Sequence, residues 1–153
     1  MPLEIERKFL VVSNQYQNNA KSVYIKQAYL SANEKMAIRV RVEGIQASIN
    51  IKSKETERVN HEFEYAIPMD EAMSLIKMSP YPIIEKTRHV VEYAGQTWEV
   101  DEFHTNNEGL TMAEIELDDE NETFNMPSWI GEEVTADYRY LNSNLVKNPF
   151  VSW

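Results

Sequence analysis

Short runs in which hydrophobic and polar residues alternate dominate the chain, and this is the pattern of β-strands with one buried face. Eight such runs predict strands over residues 3–12, 22–31, 36–44, 46–54, 60–68, 83–94, 96–103 and 110–118. Several are joined by short turns that contain Gly or Asn. Regular spacing of this kind predicts a mainly antiparallel sheet, sandwich or barrel.

Two segments, 69–78 and 134–149, follow a helical period instead. Asp70 and Thr135 are candidate N-cap residues, and Pro149 marks the end of the second segment. The apolar stripes of both segments predict packing faces rather than ligand sites. Together with the strands, they predict a mainly β (α+β) fold with a few flanking helices.

The composition is that of a folded protein, and the length of 153 residues predicts a single domain over 1–153. The chain contains no cysteine, which excludes disulfides and thiolate metal sites and suits a reducing compartment. Neither a secretory signal nor an apolar run long enough to span a membrane is visible. We therefore expect a cytoplasmic protein without a membrane partner.

Acidic residues outnumber basic ones by 25 to 15, which gives a formal charge of −10. This argues against a nucleic-acid partner, because non-specific binding to nucleic acid depends on a surplus of Lys and Arg. An acidic protein binds a polyanion only where its bases are gathered or where metal ions intervene. The positions of the bases therefore matter more than their number.

The polar faces of the strands carry charges that are sorted by sign. In the first run, Glu4, Glu6 and Lys8 share one face, opposite Ile5 and Phe9. Charged residues two positions apart recur in seven of the eight runs. The purely basic pairs are Arg39 with Arg41, Lys52 with Lys54 and Lys86 with Arg88, and the purely acidic pairs are Glu62 with Glu64, Glu99 with Asp101 and Glu114 with Glu116.

Like charges two residues apart on one face lie about 7 Å from each other. At an effective dielectric constant near 20, they repel by roughly 2 kcal/mol. A solvated outer face would explain the charges, although such faces usually mix signs to form cross-strand pairs. Alternatively, about eight strands can close into a barrel around one small ligand. The charges would then line a wet tunnel in which acids hold Mg²⁺ or Mn²⁺ and bases clamp phosphates.

The sequence resembles the CYTH superfamily, also called the triphosphate tunnel metalloenzymes. EIERK at residues 4–8 matches the ExExK signature of that family. The resemblance continues in order through IKQAYL, IRVRV, EFEYAIP, EKTRHVV, WEVDEF, GLTMAEIEL, WIGEEVT and DYRYLNSNL. It covers nearly the whole chain, in the short bacterial form. It implies an eight-stranded antiparallel β-barrel tunnel that binds divalent metal, with two ions of Mg²⁺ or Mn²⁺ expected.

The resemblance also implies two sets of ligands in this tunnel. The expected metal-side carboxylates are Glu4, Glu6, Asp101, Glu114 and Glu116. The expected triphosphate-binding bases are Lys8, Arg39, Arg41, Lys52, Lys86 and Arg88.

Three residues are candidates for the chemical step. Glu6 or Glu64 would accept the proton of the attacking water, and Lys8 would act as a clamp or proton donor. Glu62, the partner of Glu64 in the acidic pair, is a further candidate. Tyr29 stands where the family often has a tyrosine that reaches toward the site, and a packed strand aromatic is an equal alternative.

Other positions match the family less firmly. Lys54 and Glu99 share the inward parity, but we expect them on the surface. The C-terminal segment with Arg139 and Tyr140 resembles one that packs beside the tunnel and closes one end.

The expected reaction is metal-dependent hydrolysis of a triphosphate. Inorganic triphosphate is favoured because no additional domain offers an adenine pocket. The alternatives are a class IV-type adenylate cyclase, a thiamine or nucleoside triphosphatase, and a non-enzymatic module that binds polyphosphate or nucleotide. A small triphosphate is the expected partner, and the sequence leaves the oligomeric state open, a dimer included.

Overall fold

The computed structural model describes residues 3–33 and 35–153. The strands in these residues are β1 Leu3–Val11, β2 Lys21–Ala32, β3 Met36–Glu43, β4 Gln46–Lys54, β5 Val59–Ala66, β6 Ile84–Tyr93, β7 Gln96–Phe103, β8 Thr111–Leu117 and β9 Ile130–Glu133. The helices are α1 Met69–Lys77 and α2 Asn142–Leu145, with 3₁₀ turns at Gln15–Asn19, Thr105–Asn107, Tyr138–Tyr140 and Phe150–Ser152. No helix among the described residues is long and apolar enough to cross a membrane.

The strands form one antiparallel sheet in the order β5-β4-β3-β2-β6-β7-β8-β1-β9. The sheet closes because β1 also pairs with β5, from Leu3 opposite His61 to Ile5 opposite Val59. The predicted eight-stranded antiparallel β-barrel is therefore confirmed. The short strand β9 lies outside this closure and pairs with β1.

Tight turns set the register that later brings charged residues together. The β6–β7 hairpin turns through Ala94 and Gly95, whose φ angles are both positive at 50° and 79°. Two successive positive φ angles are typical of the type I′ turn that matches the twist of antiparallel strands. From this turn the register runs back along the hairpin and places Arg88 directly opposite Asp101.

Much of the apolar packing lies outside the barrel wall, because the inner face is largely charged. One cluster is built around Trp98, Phe9 and Trp129. A second packs Ala72 and Ile76 of α1 against Ala28 and Val40 of the sheet. The flanking segments therefore cover the outer faces of the strands, as a sheet with one polar and one apolar face requires.

One end of the barrel has an apolar interior. The inward-facing residues beyond the charged pairs are apolar at this end, and they gather with the C-terminal segment into one cluster. We call this cluster the apolar plug; its members on the strands include Leu10, Tyr29, Ile84, Phe103 and Met112, and α2 contributes Leu145. Leu145 is fully buried. The plug closes this end, so the charged interior is reached from elsewhere.

The local structure differs from the predicted helices in two places. The N-cap of α1 is Pro68, and Asp70 lies in the first turn. The predicted C-terminal helix is instead a 3₁₀ turn followed by the one-turn helix α2. Asn and Ser in this stretch favour local side-chain bonds over a continuous helix. Thr135 caps no helix, since its hydroxyl accepts the Lys8 backbone N–H at 3.0 Å and donates to Glu133.

Candidate active site

A cavity of about 350 Å³ occupies the charged part of the barrel. Of the residues predicted for the site, its lining includes Glu4, Glu6, Lys8, Tyr29, Arg39, Arg41, Lys52, Glu62, Arg88, Glu114 and Glu116. The charged faces therefore point inward, and the solvated outer face that the pattern left open is excluded for these residues. Lys54 and Glu99 also border the cavity. The Glu99 side chain is 41% exposed, in line with the expected surface position, whereas Lys54 is half-buried.

The strand order divides the cavity wall into two halves of opposite charge. Going round the barrel, β4, β3, β2 and β6 are consecutive, and their inward charges in the lining are all basic. The remaining strands β7, β8, β1 and β5 are also consecutive and carry the inward carboxylates. Lys8 is the exception, because it lies on β1 within the acidic half. An acidic half-wall thus faces a basic half-wall across the cavity.

Ion pairs link the two halves near the closure of the barrel. Lys52 Nζ lies 3.0 Å from Glu4 Oε2 and 3.7 Å from Glu6 Oε1. Burial acts to raise the pKa of Glu6, but Lys52 and Lys8 outweigh it and hold this pKa at about 2. Glu6 is therefore ionised at neutral pH. Lys8 Nζ lies 3.6 Å from Glu114 Oε1.

The acidic half carries more negative charge than its neighbouring bases neutralise. Glu6 lies opposite Glu116 in the β1–β8 register. Burial and the charge of Glu6 raise the pKa of both Glu114 and Glu116. Burial, a hydrogen bond with Glu62 and the charge of Glu6 raise the pKa of Glu4 to about 9. Bound protons thus neutralise part of the excess negative charge. Hard divalent cations, which prefer carboxylate oxygen, can neutralise it as well.

Asn50 is a cavity residue that the pattern of charges along the sequence does not identify. Its side chain is only 2% exposed, and its Nδ2 donates to Glu62 Oε1 at 2.7 Å and to Glu64 Oε2 at 3.3 Å. Its Oδ1 is buried and has no hydrogen-bond partner among the described residues. The available signal was its parity, since Asn50 precedes Lys52 by two positions on β4.

Lys86 and Asp101 are buried behind the cavity lining. Asp101 accepts from Arg88 Nε at 2.8 Å and Nη2 at 2.9 Å, and Lys86 Nζ lies 2.8 Å from its Oδ2. Burial acts to raise the pKa of Asp101, but the charges of Arg88 and Lys86 hold it well below its usual range. Asp101 therefore fixes two bases. Its predicted place on the metal side stays a prediction.

Glu64 lies at the rim rather than inside the cavity. It is exposed near the end of β5 and borders a shallow depression together with Leu3, Tyr65 and Glu116. Asn50 joins it to Glu62, which does line the cavity. The role of Glu64 as an acceptor of the proton of the attacking water stays a prediction.

The sequence leaves two alternatives open for Tyr29, a side chain that reaches toward the site and a packed strand aromatic, and both describe part of its position. Its side chain is buried in the apolar plug, and it also borders the cavity. The C-terminal segment reaches the cavity with other residues than those named from the sequence. Leu141, Asn142 and Ser143 line it, whereas Arg139 pairs with Asp137 at 2.7 Å in an exposed position.

The barrel and its divided wall define a tunnel-type β-barrel whose interior suits a compact polyanion held together with hard cations. Residues 2–147 match the family model of the CYTH domain. The chain belongs to the CYTH family.

Two relatives match over nearly their full length. A protein named inorganic triphosphatase from Acetivibrio thermocellus is 47% identical over 151 residues, which cover 98% of this chain and 97% of that protein. A protein of the same name from Nitrosomonas europaea is 33% identical over 146 residues, which cover 93% of this chain and 95% of that protein. A crystal structure of an inorganic triphosphatase matches with a TM-score of 0.71 and 32% identity, over 95% of both chains.

The raised pKa of Glu4 predicts a pH-dependent stability in the absence of metal. Folded Glu4 binds a proton up to a pH of about 9, whereas the unfolded residue releases it near 4.5. The unfolding free energy should therefore fall as pH rises between these values, by at most about 1.4 kcal/mol per pH unit from this residue. Urea unfolding of the wild-type protein and of Glu4→Gln, both in EDTA at pH 5 to 8, measures the difference between their unfolding free energies at each pH.

The wild-type protein should lose stability relative to Glu4→Gln as pH rises across this range. The comparison with the variant cancels the titrating groups that do not interact with Glu4, Lys86 included. Glu6 and Glu62 share hydrogen bonds with Glu4, so the difference reports the proton held by this carboxylate cluster. A constant difference between the two proteins across the range would contradict the proton on Glu4.

Proposed function

We propose that this protein is an inorganic triphosphatase that depends on divalent metal and releases pyrophosphate and phosphate. The observation that carries this proposal is the division of the tunnel wall into an acidic half and a basic half. A linear polyanion between these halves meets bases on one side and cation-binding carboxylates on the other. The relatives named inorganic triphosphatase support the same activity.

The donor set of the acidic half fits a hard divalent cation. Membership in the CYTH family implies dependence on such a metal, and Glu4, Glu6, Glu114 and Glu116 would hold it, with two Mg²⁺ or Mn²⁺ ions proposed. No group of three or more His, Cys, Asp or Glu residues in the described part of the chain is arranged to hold a metal by itself. Mg²⁺ sites in proteins commonly combine one or two carboxylates with water and substrate phosphate. When bound, the metal neutralises phosphate charge and lowers the pKa of coordinated water.

The basic half would bind and orient the phosphate chain. Arg39, Arg41, Lys52 and Arg88 present their charged groups to one cavity. Guanidinium groups match phosphate oxygens in bidentate geometry, and a fixed set of cations stabilises charge on the departing diphosphate. The pairing of Arg88 with Asp101 keeps its guanidinium in one orientation before substrate arrives.

The remaining charged residues would take part in proton transfer and bind the attacking water. Lys8 lies among carboxylates, where it would neutralise the leaving group or donate to it. Ionised Glu6 would accept a hydrogen bond from the attacking water, and Glu64 at the rim is the alternative acceptor. Asn50, whose amide fixes Glu62, would keep that carboxylate in place.

The lining favours inorganic triphosphate over organic triphosphates. Among the described lining residues, the side chains without charge or amide or hydroxyl groups are Ala37 and Leu141, and the single aromatic ring is that of Tyr29. Tyr29 is buried in the plug, so its ring offers no open face on which a nucleobase or a thiamine ring could stack. Recognition of such a group would require an apolar or aromatic surface.

A product assay tests this proposal. The purified protein is incubated with inorganic triphosphate, thiamine triphosphate or ATP, each with Mg²⁺, Mn²⁺ or EDTA. We expect pyrophosphate and phosphate in equal amounts from inorganic triphosphate, and no turnover in EDTA. Cyclic AMP from ATP would support the cyclase instead, and binding without any product would support a binding module.

The wider setting stays a prediction of the sequence. A small triphosphate as partner, the absence of nucleic-acid and membrane partners, and a cytoplasmic location belong to this proposal. A single domain over 1–153 is part of it as well.

A further inference from the structure

Asn142 lies where the charged cavity meets the apolar plug. It is the first residue of α2, three positions before the fully buried Leu145. Its side chain is 9% exposed and borders the cavity. The one-turn helix thus carries a polar side chain into a tunnel whose other ligands come mainly from strands.

The carbonyl oxygen of Asn142 joins two strands. Its Oδ1 accepts from Lys86 Nζ at 2.9 Å and from Gln27 Nε2 at 3.0 Å. Gln27 Oε1 in turn accepts from Arg41 Nε at 3.0 Å. One amide from the C-terminal segment therefore connects to two bases, directly to Lys86 and through Gln27 to Arg41.

The orientation of both amides follows from chemistry rather than from an arbitrary assignment. An ammonium group and a guanidinium group can only donate hydrogen bonds. The atom of Gln27 beside the Arg41 guanidinium must therefore be its oxygen, which turns the Gln27 NH₂ group toward Asn142. The Asn142 atom that accepts from this NH₂ group must then also be an oxygen. The side-chain hydrogen bonds of Asn142 within the described residues all use this oxygen, and its NH₂ group supplies two further donors.

We propose that Asn142 is a substrate-binding residue of the tunnel, which fixes Lys86 and Gln27 through its carbonyl oxygen and donates through its NH₂ group to the phosphate chain. This inference rests on the proposed function and adds a ligand from outside the strands. The C-terminal segment then contributes directly to binding as well as closing the barrel.

A neutral donor suits this end of the basic half. Burial and the charges of Arg39 and Arg88 lower the pKa of Arg41 to about 10, which reflects how closely the bases are crowded. A further cation here would add to the repulsion, whereas an amide adds donors without charge. Its oxygen also partners Lys86, whose pKa burial lowers to about 7.

Binding measurements on matched variants test this inference. Calorimetry with inorganic triphosphate in EDTA avoids both turnover and metal, and it compares the wild-type protein with Asn142→Asp, Asn142→Leu and Asn144→Leu. We expect Asn142→Asp to bind at least about tenfold more weakly, because it keeps the acceptor oxygen but replaces the donors by a charge that repels phosphate. Asn142→Leu should also bind about tenfold more weakly. The control Asn144→Leu, on the same helix but outside this cavity, should stay within about twofold of the wild-type affinity.

Kinetics should separate binding from chemistry. In the presence of Mg²⁺, we expect Asn142→Asp to raise KM with little change in kcat, as loss of binding shared by ground state and transition state requires. Asn142→Asp with wild-type affinity and KM would overturn the inference.

NMR of the wild-type protein tests the inference without relying on the folding of any variant. The side-chain NH₂ signals of Asn142 should shift when triphosphate is added in EDTA. Binding that leaves these signals unchanged at saturation overturns this inference alone. A wild-type protein that neither binds nor hydrolyses triphosphate overturns the proposed function, and the inference with it.

Discussion

Glu6→Gln is expected to lower kcat for triphosphate hydrolysis by about a thousandfold or more. Glu6 lies opposite Glu116 in the acidic half, and its Oε1 is 3.7 Å from Lys52 Nζ. The amide keeps the size of the side chain but removes the charge that a divalent cation requires. Stabilisation of transition-state charge by a metal contributes several kcal/mol, which corresponds to about three orders of magnitude in rate. The measurement is phosphate release from inorganic triphosphate at increasing Mg²⁺ and Mn²⁺.

The partner of Glu6 across the strands should respond in the same way. Glu116→Gln is expected to abolish turnover, since both carboxylates belong to one proposed metal site. Glu132→Gln is the matched control, because Glu132 is exposed on β9 and lies outside the cavity lining. Unchanged rates in Glu6→Gln and Glu116→Gln would show that the acidic half does not bind the catalytic metal.

To predict the acidic and basic halves of the tunnel, one needs both the sign of the charges on each strand and the order of the strands around the barrel. The sequence reveals which sign each strand carries, because alternation assigns residues such as Arg39 and Arg41 to one face. The neighbours of each strand are a property of the topology. β6 follows α1 in the chain but pairs with β2, and this crossover completes the basic half. Periodicity carries no information about such a crossover, so opposed half-walls could not be predicted from the strands alone.

Neutral residues of the site were missed for a related reason. Asn50 and Gln27 lie on strands at positions that face inward. They carry no charge, so the sorting of charges by sign does not identify them. Asn142 belongs to a segment without a strand period, and only the folded structure brings it to Lys86. Charge sorting identifies ligands of a polyanion, while the amides that orient those ligands leave no comparable signal.

The short strand β9 is not predicted by the alternation of hydrophobic and polar residues. The strand β9 has four residues, Ile130–Glu133, and includes a glycine and two acids. Strand propensity disfavours such a sequence, and pairing with β1 supplies the missing stability. Gly131 accommodates this pairing, because a Cβ at its position would lie 3.2 Å from the backbone oxygen of Leu10 on β1, which is tighter than ordinary van der Waals contact. Tertiary contact, rather than sequence period, defines this edge.

Asp101→Asn is expected to lower the free energy of unfolding by about 3–5 kcal/mol, as loss of one partner from a buried ion pair does. The carboxylate of Asp101 is 4% exposed and contacts both Arg88 and Lys86. The amide would leave Lys86 without the carboxylate that pairs with it, and Arg88 would keep only Glu99, whose Oε2 lies 3.2 Å from its Nη1. Since the pKa of Asp101 is held well below its usual range, its contribution is present above the unfolded pKa of about 4 and is lost as pH falls through the folded value. Urea unfolding at neutral pH in EDTA measures the loss.

The matched control is Asp137→Asn, which breaks the exposed pair with Arg139. Solvent screens exposed pairs of that kind, so this variant should unfold nearly as the wild-type protein does. Triphosphate should stabilise Asp101→Asn more than the wild-type protein, because the bound anion supplies negative charge beside Arg88. If Asp101 instead served as a metal ligand alone, its variant would keep wild-type stability in EDTA and require more metal for turnover. A loss of stability that Asp137→Asn does not share would therefore assign Asp101 to the support of the basic half.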